Sequence, residues 1–371
     1  MLCDVQCNEV EPASEGHIRD MAHLSSCIKM ARETAAMAMH DRSSAAQALN
    51  KFLQQINLWA QDYPGKFDSR RASMALLSMA HVTFRAKKFD RSSLHNPLIP
   101  DIAAVMIKRT FQQILGASNH TVCNVFWACA RLQIRPDDVH DGAEDKLGQR
   151  FIDTQTSATL PGLSSVLWAC GVLGLNPGNG DFIEHAVQII KQEVAVDGFD
   201  SKEHMESLSV IMFAFASLRL HIQPAVAELI ITRFYQGVVQ GADEPQGLNN
   251  ILWTCATLGY LPPPHILQCF KKSYNTSKKP FLIQHDSTVA WSLAVLGVLD
   301  MEYFKTVILR FPRRVLLNAT VFQLYQALQA LRPLDESTPA YTEWLEVSRL
   351  CLLKCINDGC TLPVVGAKDQ L

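Results

Sequence analysis

Nine residues combine types and spacing that could read a flexible polar partner at regular intervals: Asn124, Arg131, Ser165, Ser217, Asn250, Thr254, Thr257, Thr288 and Ser292. Amides and hydroxyls both donate and accept hydrogen bonds, as an exposed base edge does. A guanidinium adds planar donors. Modular readers of single strands present two or three such side chains per repeat. A second set is cationic: Lys271, Lys272, Lys278, Lys279, Arg310, Arg313 and Arg314. They lie in residues 271–314, where eight Lys/Arg face three Asp/Glu, net +5. Such cations can neutralise phosphates and make binding salt-dependent. The alternative is a solvated outer face. Residues 181–206 carry seven acids against Lys191 and Lys202, net −5, and are expected to be such a face.

The nine residues are tied together by a phrase the chain repeats. "CNVFWACARLQIRP", "SSVLWACGVLGLNP" and "NNILWTCATLGYLP" begin at residues 123, 164 and 249. With the aromatic as zero, Trp127, Trp168, Phe213, Trp253 and Trp291 are 41, 45, 40 and 38 residues apart. Gln326 fills the slot in a weaker copy, and a degenerate copy surrounds Leu77. A period near 40 is the signature of stacked repeats. Position +5 is leucine in all five copies (Leu132, Leu173, Leu218, Leu258, Leu296), and +3 is Ala or Gly. Positions −2 and −1 are mostly aliphatic. At helical spacing these residues span more than half a circumference, which predicts an inner helix covered on several sides. The small +3 residue is expected to admit a neighbouring backbone. The aromatic is expected in the core.

Prolines at +9 or +11 (Pro136, Pro177, Pro224, Pro262) are expected to stop each helix. A second amphipathic stretch follows, so the unit is a helical hairpin that must stack to bury its apolar arcs. The expected fold is all-α, an α-solenoid of hairpins with little or no sheet. The expected divisions are a weakly ordered segment with one helix at 1–42, an irregular helical part at 43–118, the repeat array at 119–335, and a C-terminal helix with a frayed tail at 336–371.

The free face of each inner helix contains −3, +1 and +4. Polarity concentrates at −3 (Asn124, Ser165, Asn250, Thr288), which favours a binding role there. For +1 and +4 (Arg131, Ser217, Thr254, Thr257, Ser292), binding and packing against the next hairpin remain equal alternatives.

At these residues the chain resembles the octotricopeptide repeat, whose phrase is close to "ANLLWALAKLGYRP" at a period of about 38–40. It is similar also to heptatricopeptide repeats and FAST-kinase-like proteins. The resemblance covers roughly residues 119–332. It implies an α-solenoid that binds single-stranded RNA and acts in RNA processing, stability or translation in a mitochondrion or chloroplast. Many such proteins end in a nuclease-like RAP domain. About 40 residues follow Pro333 here, with no acidic strand motif, so the resemblance does not extend to nuclease activity.

Other classes find no support in the residues. No GxxxxGK[ST], GxSxG, HExxH or HxE…PCxxC pattern occurs, so no enzyme, cofactor or small-molecule substrate is expected. His285-Asp286 is expected to cap a helix rather than act as a catalytic pair. Cys351, Cys355 and Cys360 lack paired spacing and a nearby histidine, so no metal is expected. The eleven cysteines are scattered, and Cys129, Cys170 and Cys255 share one repeat position. They are expected to be reduced and buried. No membrane span is expected. The first residues lack both secretory and transit-peptide character. A formal charge of −2 supplies no general attraction for a polyanion, which favours a rival expectation, a protein scaffold of the armadillo or HEAT type.

Overall fold

A computed structural model of the chain describes residues 21–62, 65, 67–154, 157–175, 180–194, 202–241, 245–276, 283–310, 318–333 and 337–357. The described residues contain sixteen α-helices and no strand. The chain divides into two compact units at Ile189/Ile190.

The first unit holds α1 (Met21–Met37), α2 (Arg42–Asp62), α3 (Ser69–Lys87), α4 (Leu98–Gln112), α5 (Asn119–Leu132), α6 (Ala143–Asp153), α7 (Leu160–Leu173) and the start of α8 (Gly180–Val194). Alternate helices pack together: α1 on α3, α3 on α5, and α5 on α7. The intervening helices form the second layer, with α2 against α4 and Phe151 of α6 against Phe182 of α8 at 5.6 Å. Leu24 and Ile28 of α1 are fully buried.

The second unit repeats the scheme. It holds α9 (Lys202–Ser217), α10 (Pro224–Val239), α11 (Pro245–Leu258), α12 (Pro264–Thr276), α13 (Ile283–Val295), α14 (Met301–Arg310), α15 (Asn318–Ala330) and α16 (Pro339–Asn357). α9, α11, α13 and α15 pack in succession, and α10 lies against α12 and α14 against α16. Phe234 and Phe270 meet edge-to-face at 5.8 Å between α10 and α12. Each unit is therefore a stack of helical hairpins, the expected α-solenoid class.

The inner helices stop for a reason other than the prolines. Position +6 is left-handed in every copy: Gln133, Gly174, Arg219, Gly259 and Gly297 have φ between 54° and 69°. In each copy the +7 amide donates to the +2 carbonyl, as Ile134 N–H does to Cys129 O at 3.0 Å and Tyr260 N–H to Cys255 O at 2.9 Å. This closing pair marks a Schellman cap, in which glycine carries no Cβ penalty. The helices end three or more residues before the prolines. Gln133 and Arg219 hold the same conformation at a cost of about 1 kcal/mol.

Two further expectations change. The α3 copy is centred on His81 rather than Leu77, because Met79, Ala80, Val82 and Thr83 at −2, −1, +1 and +2 are all buried. The small residue at +3 does not serve backbone approach in α7, since a Cβ on Gly171 would meet nothing within 4 Å.

Candidate functional site

The repeated aromatic is not a core residue. Trp127, Trp168, Phe213, Trp253 and Trp291 are each half-buried, and His81 and Gln326 in the same slot are exposed. The angular reason is simple. Positions −2, −1, +1 and +2 are the consistently buried ones, and at about 100° per residue their mean direction lies opposite position 0. An aromatic there covers the rim of the next helix while its own rim meets solvent.

These rings form ladders. His81 stacks on Trp127 at 4.6 Å between centroids with an interplanar angle of 28°. Trp127 meets Trp168 at 6.4 Å and 37°. In the second unit Phe213 meets Trp253 at 4.9 Å and 38°. All lie in the range of attractive ring pairs. Arg131, at +4 of α5, sits over three rings: Phe84 at 4.4 Å, Trp168 at 4.7 Å and Trp127 at 4.9 Å. Desolvation lowers its pKa, yet a guanidinium stays charged at neutral pH. The imidazole of His81 is also held below its ordinary pKa, first by desolvation and then by repulsion from Arg32 and Arg131, although its Nδ1 lies 3.0 Å from Leu77 O.

Positions −3, 0 and +4 fall within about 60° of one another on the helix, so the ladder and two of the three polar slots share one stripe. Position +4 is the open one. Ser217, Thr257, Val172 and Val295 are exposed there, and Arg131 is half-buried. Position +1 is closed. Thr254 is 0 % exposed with an unpartnered Oγ1, and Ser292 is 0 % exposed and donates to Thr288 O at 2.7 Å. These two pack between helices, the alternative considered for that slot, and they are removed from the exposed face.

Slot −3 is mixed. Ser165 is half-buried and donates to Pro161 O at 2.9 Å. Asn250 is buried and accepts from Gln246 Nε2 at 2.8 Å. Thr288 is buried and donates to Gln323 Oε1 of α15 at 3.3 Å, beside Ser287 at 2.7 Å. Asn124 alone of the four has no hydrogen-bond partner among the described residues. It lines a recess of ≈ 440 Å³ between the N-terminal ends of α3 and α5, with Ser69, Arg70, Ser73, His120 and Thr121 among its other walls.

One polar column went unread in the sequence. Position −4 is Cys123, Ser164, Ser209, Asn249 and Ser287, always small or polar and always buried. Its signal was visible in the aligned copies: polarity on the edge of the stripe that faces the next helix.

The cationic set is largely committed or undescribed. Lys271 Nζ donates to Val298 O at 2.6 Å and pairs with Asp300 at 2.9 Å, tying α12 to the turn before α14. That lysine serves the fold. Lys305, counted in the same run, pairs with Glu343 and Glu302. Lys272 is exposed. Lys278, Lys279, Arg313 and Arg314 lie outside the described residues, as does the side chain of Arg310, which ends α14.

Burial pushes the thiols of Cys123, Cys129, Cys170 and Cys255 up to about 12, so they are inert small hydrophobes. Asp286 is buried in the first turn of α13, and desolvation holds His285 below its ordinary pKa. Among the described residues no three His, Cys, Asp or Glu side chains gather as a metal site, and no helix is long and apolar enough to cross a membrane. Cys351 is buried in α16, while Cys360 and the side chain of Cys355 lie outside the described residues.

No protein-family model matches the chain, and no curated protein matches it.

Proposed function

We propose that the chain is a non-catalytic single-stranded RNA-binding repeat protein of the octotricopeptide type, acting in organellar RNA processing, stability or translation. One observation carries it. Each repeat puts a half-buried aromatic beside a +4 side chain that reaches the surface and varies from copy to copy: Arg131, Val172, Ser217, Thr257, Val295. A constant aromatic next to a variable neighbour suits one contact per nucleotide along an extended strand. Ring centroids 4.6–6.4 Å apart leave no gap for a base between them. Bases therefore meet ring rims, and the +4 side chains distinguish them. Arg131, held on the ladder by three rings, supplies charge for a phosphate or a base carbonyl at the stripe itself.

A protein scaffold is the second reading. It is favoured by the apolar +4 residues Val172 and Val295, 46 % and 51 % exposed. Retention of the chain on a mixed single-stranded RNA pool over a salt series separates the two. RNA binding predicts retention at low salt, a linear fall of log K with log salt, and a shallower slope for Arg131→Gln. Absence of retention at low salt leaves the scaffold.

A further inference from the structure

We propose that the recess between α3 and α5 is a binding pocket for one nucleoside monophosphate unit, with the base edge on Asn124 and the phosphate on Arg70. Asn124 is only 8 % exposed, has no partner among the described residues, and forms part of the recess wall. Its amide atoms are not closed off from solvent, so the carboxamide opens onto the recess and can pair with a ligand there. Its equivalents Ser165, Asn250 and Thr288 all have partners within the protein. A carboxamide offers a donor and an acceptor side by side, the complement of a base edge.

The phosphate half has separate support. α3 and α5 both begin at the recess; Asp68 already caps the α3 amides, whereas α5 is capped by the neutral hydroxyl of Ser118, so the attraction of a helix N-terminus for an anion comes from α5. Arg70 and His120 line the same recess, are exposed, and have no ion-pair partner among the described residues. The Ser73 and Thr121 hydroxyls complete a polar lining, and the volume falls in the range of small-ligand sites. The Asp68 carboxylate at the α3 N-cap is paired with Arg71 and does not line the recess. The nucleotide can come from an RNA strand lying on the ladder or from a free nucleotide. The inference rests on the RNA-binding reading only for the first source.

Calorimetric titration of the full chain with AMP, CMP, GMP and UMP, with the four nucleosides, and with inorganic phosphate tests it. Monophosphates are expected to bind more tightly than nucleosides or phosphate. Arg70→Gln should weaken every monophosphate by about tenfold, the worth of one charge-assisted hydrogen bond, and leave nucleosides unchanged. Asn124→Leu should remove the difference between bases, with a thermal midpoint at or above that of the parent. Asn124→Asp, similar in size, should weaken monophosphates through its charge. No heat with any monophosphate at about millimolar concentration, or unchanged binding in both the Arg70 and Asn124 variants, overturns the pocket. Parallel retention on single-stranded RNA keeps the two proposals apart. Monophosphates bound without RNA retention leaves the pocket and removes the RNA reading. RNA retained without monophosphate binding does the reverse.

Discussion

The seam between α3 and α5 and the seam between α9 and α11 are built from the same phrase and finished differently. Both receiving helices carry asparagine at −3 and tryptophan at 0. In α11, Asn250 is closed off by Gln246 from its own first turn. A Cβ on Gly247 there would meet the Phe234 ring at 3.0 Å, so the start of that helix is packed tight. In α5, Asn124 faces an open recess. The ladders differ likewise. Phe84, Trp127 and Trp168 hold a guanidinium, whereas Phe213 and Trp253 are flanked by the hydroxyls Ser217 and Thr257. The repeat fixes the scaffold, and two or three off-pattern residues decide whether a seam is a joint or a site.

The largest effects should separate the two ladders. Trp127→Ala removes contacts to His81, Trp168 and Arg131, and should cost about 2–3 kcal/mol in denaturant unfolding. Trp253→Ala loses Phe213 and is expected to cost about 1–2 kcal/mol. Equal losses would mean that neither Arg131 nor the second ring partner adds to the first ladder. Both fall short of the about 3–5 kcal/mol expected for a buried ring such as Phe234→Ala.

Next comes a difference of sign at one slot. Asn124→Leu should be neutral or raise stability by up to about 1 kcal/mol, since no bond is broken. Asn250→Leu frees Gln246 Nε2 and should lower stability by about 0.5–1 kcal/mol. A loss at Asn124 equal to that at Asn250 would show a hidden structural role for its amide.

Smaller gains are expected where the two seams agree. Gln133→Gly and Arg219→Gly relieve a left-handed backbone, one in each unit, and should each add about 0.5–1 kcal/mol. Thermal midpoints measure this, and a loss in either would show that the side chain outweighs the strain.

The smallest effect is a pH dependence. The folded pKa of His81 lies below 6.5, chiefly through desolvation, with Arg32 and Arg131 adding repulsion. The unfolded chain therefore takes the proton first. Stability from this residue is complete above the ordinary histidine range and declines as pH falls from there toward the folded pKa. His81→Gln should flatten that decline, leaving the part due to His285, which is depressed in the same direction. A chain whose midpoint between pH 5 and 7 is unaffected by the substitution would contradict a depressed pKa for His81.

The hairpins, their period and their stacking were legible because burial imposes residue type at −2 and −1 in every copy and leucine recurs at +5. The side of the helix on which tryptophan lies was missed by reading residue type instead of angle. Position 0 opposes the small +1 and the mostly aliphatic −2 and −1, and that geometry was present in the five aligned copies. The caps were half legible: Gly174, Gly259 and Gly297 announce a left-handed residue, while Gln133 and Arg219 adopt it unannounced. The recess was not legible at all. It needs the start of α3, whose copy has histidine where the five best copies have an indole or a phenyl, so Arg70 and Asn124 never appeared as neighbours. The role of Lys271 was hidden for a similar reason, because Val298 and Asp300 reach it only through the fold.

Indole fluorescence during titration with a single-stranded RNA pool at low salt tests the exposed ladder most directly. Emission should fall as RNA binds, and most of that fall should vanish in a chain carrying Trp127→Phe, Trp168→Phe, Trp253→Phe and Trp291→Phe, with Trp59 and Trp344 buried and silent. RNA binding that leaves the emission of the parent chain unchanged would place the strand somewhere other than the aromatic stripe and contradict the account.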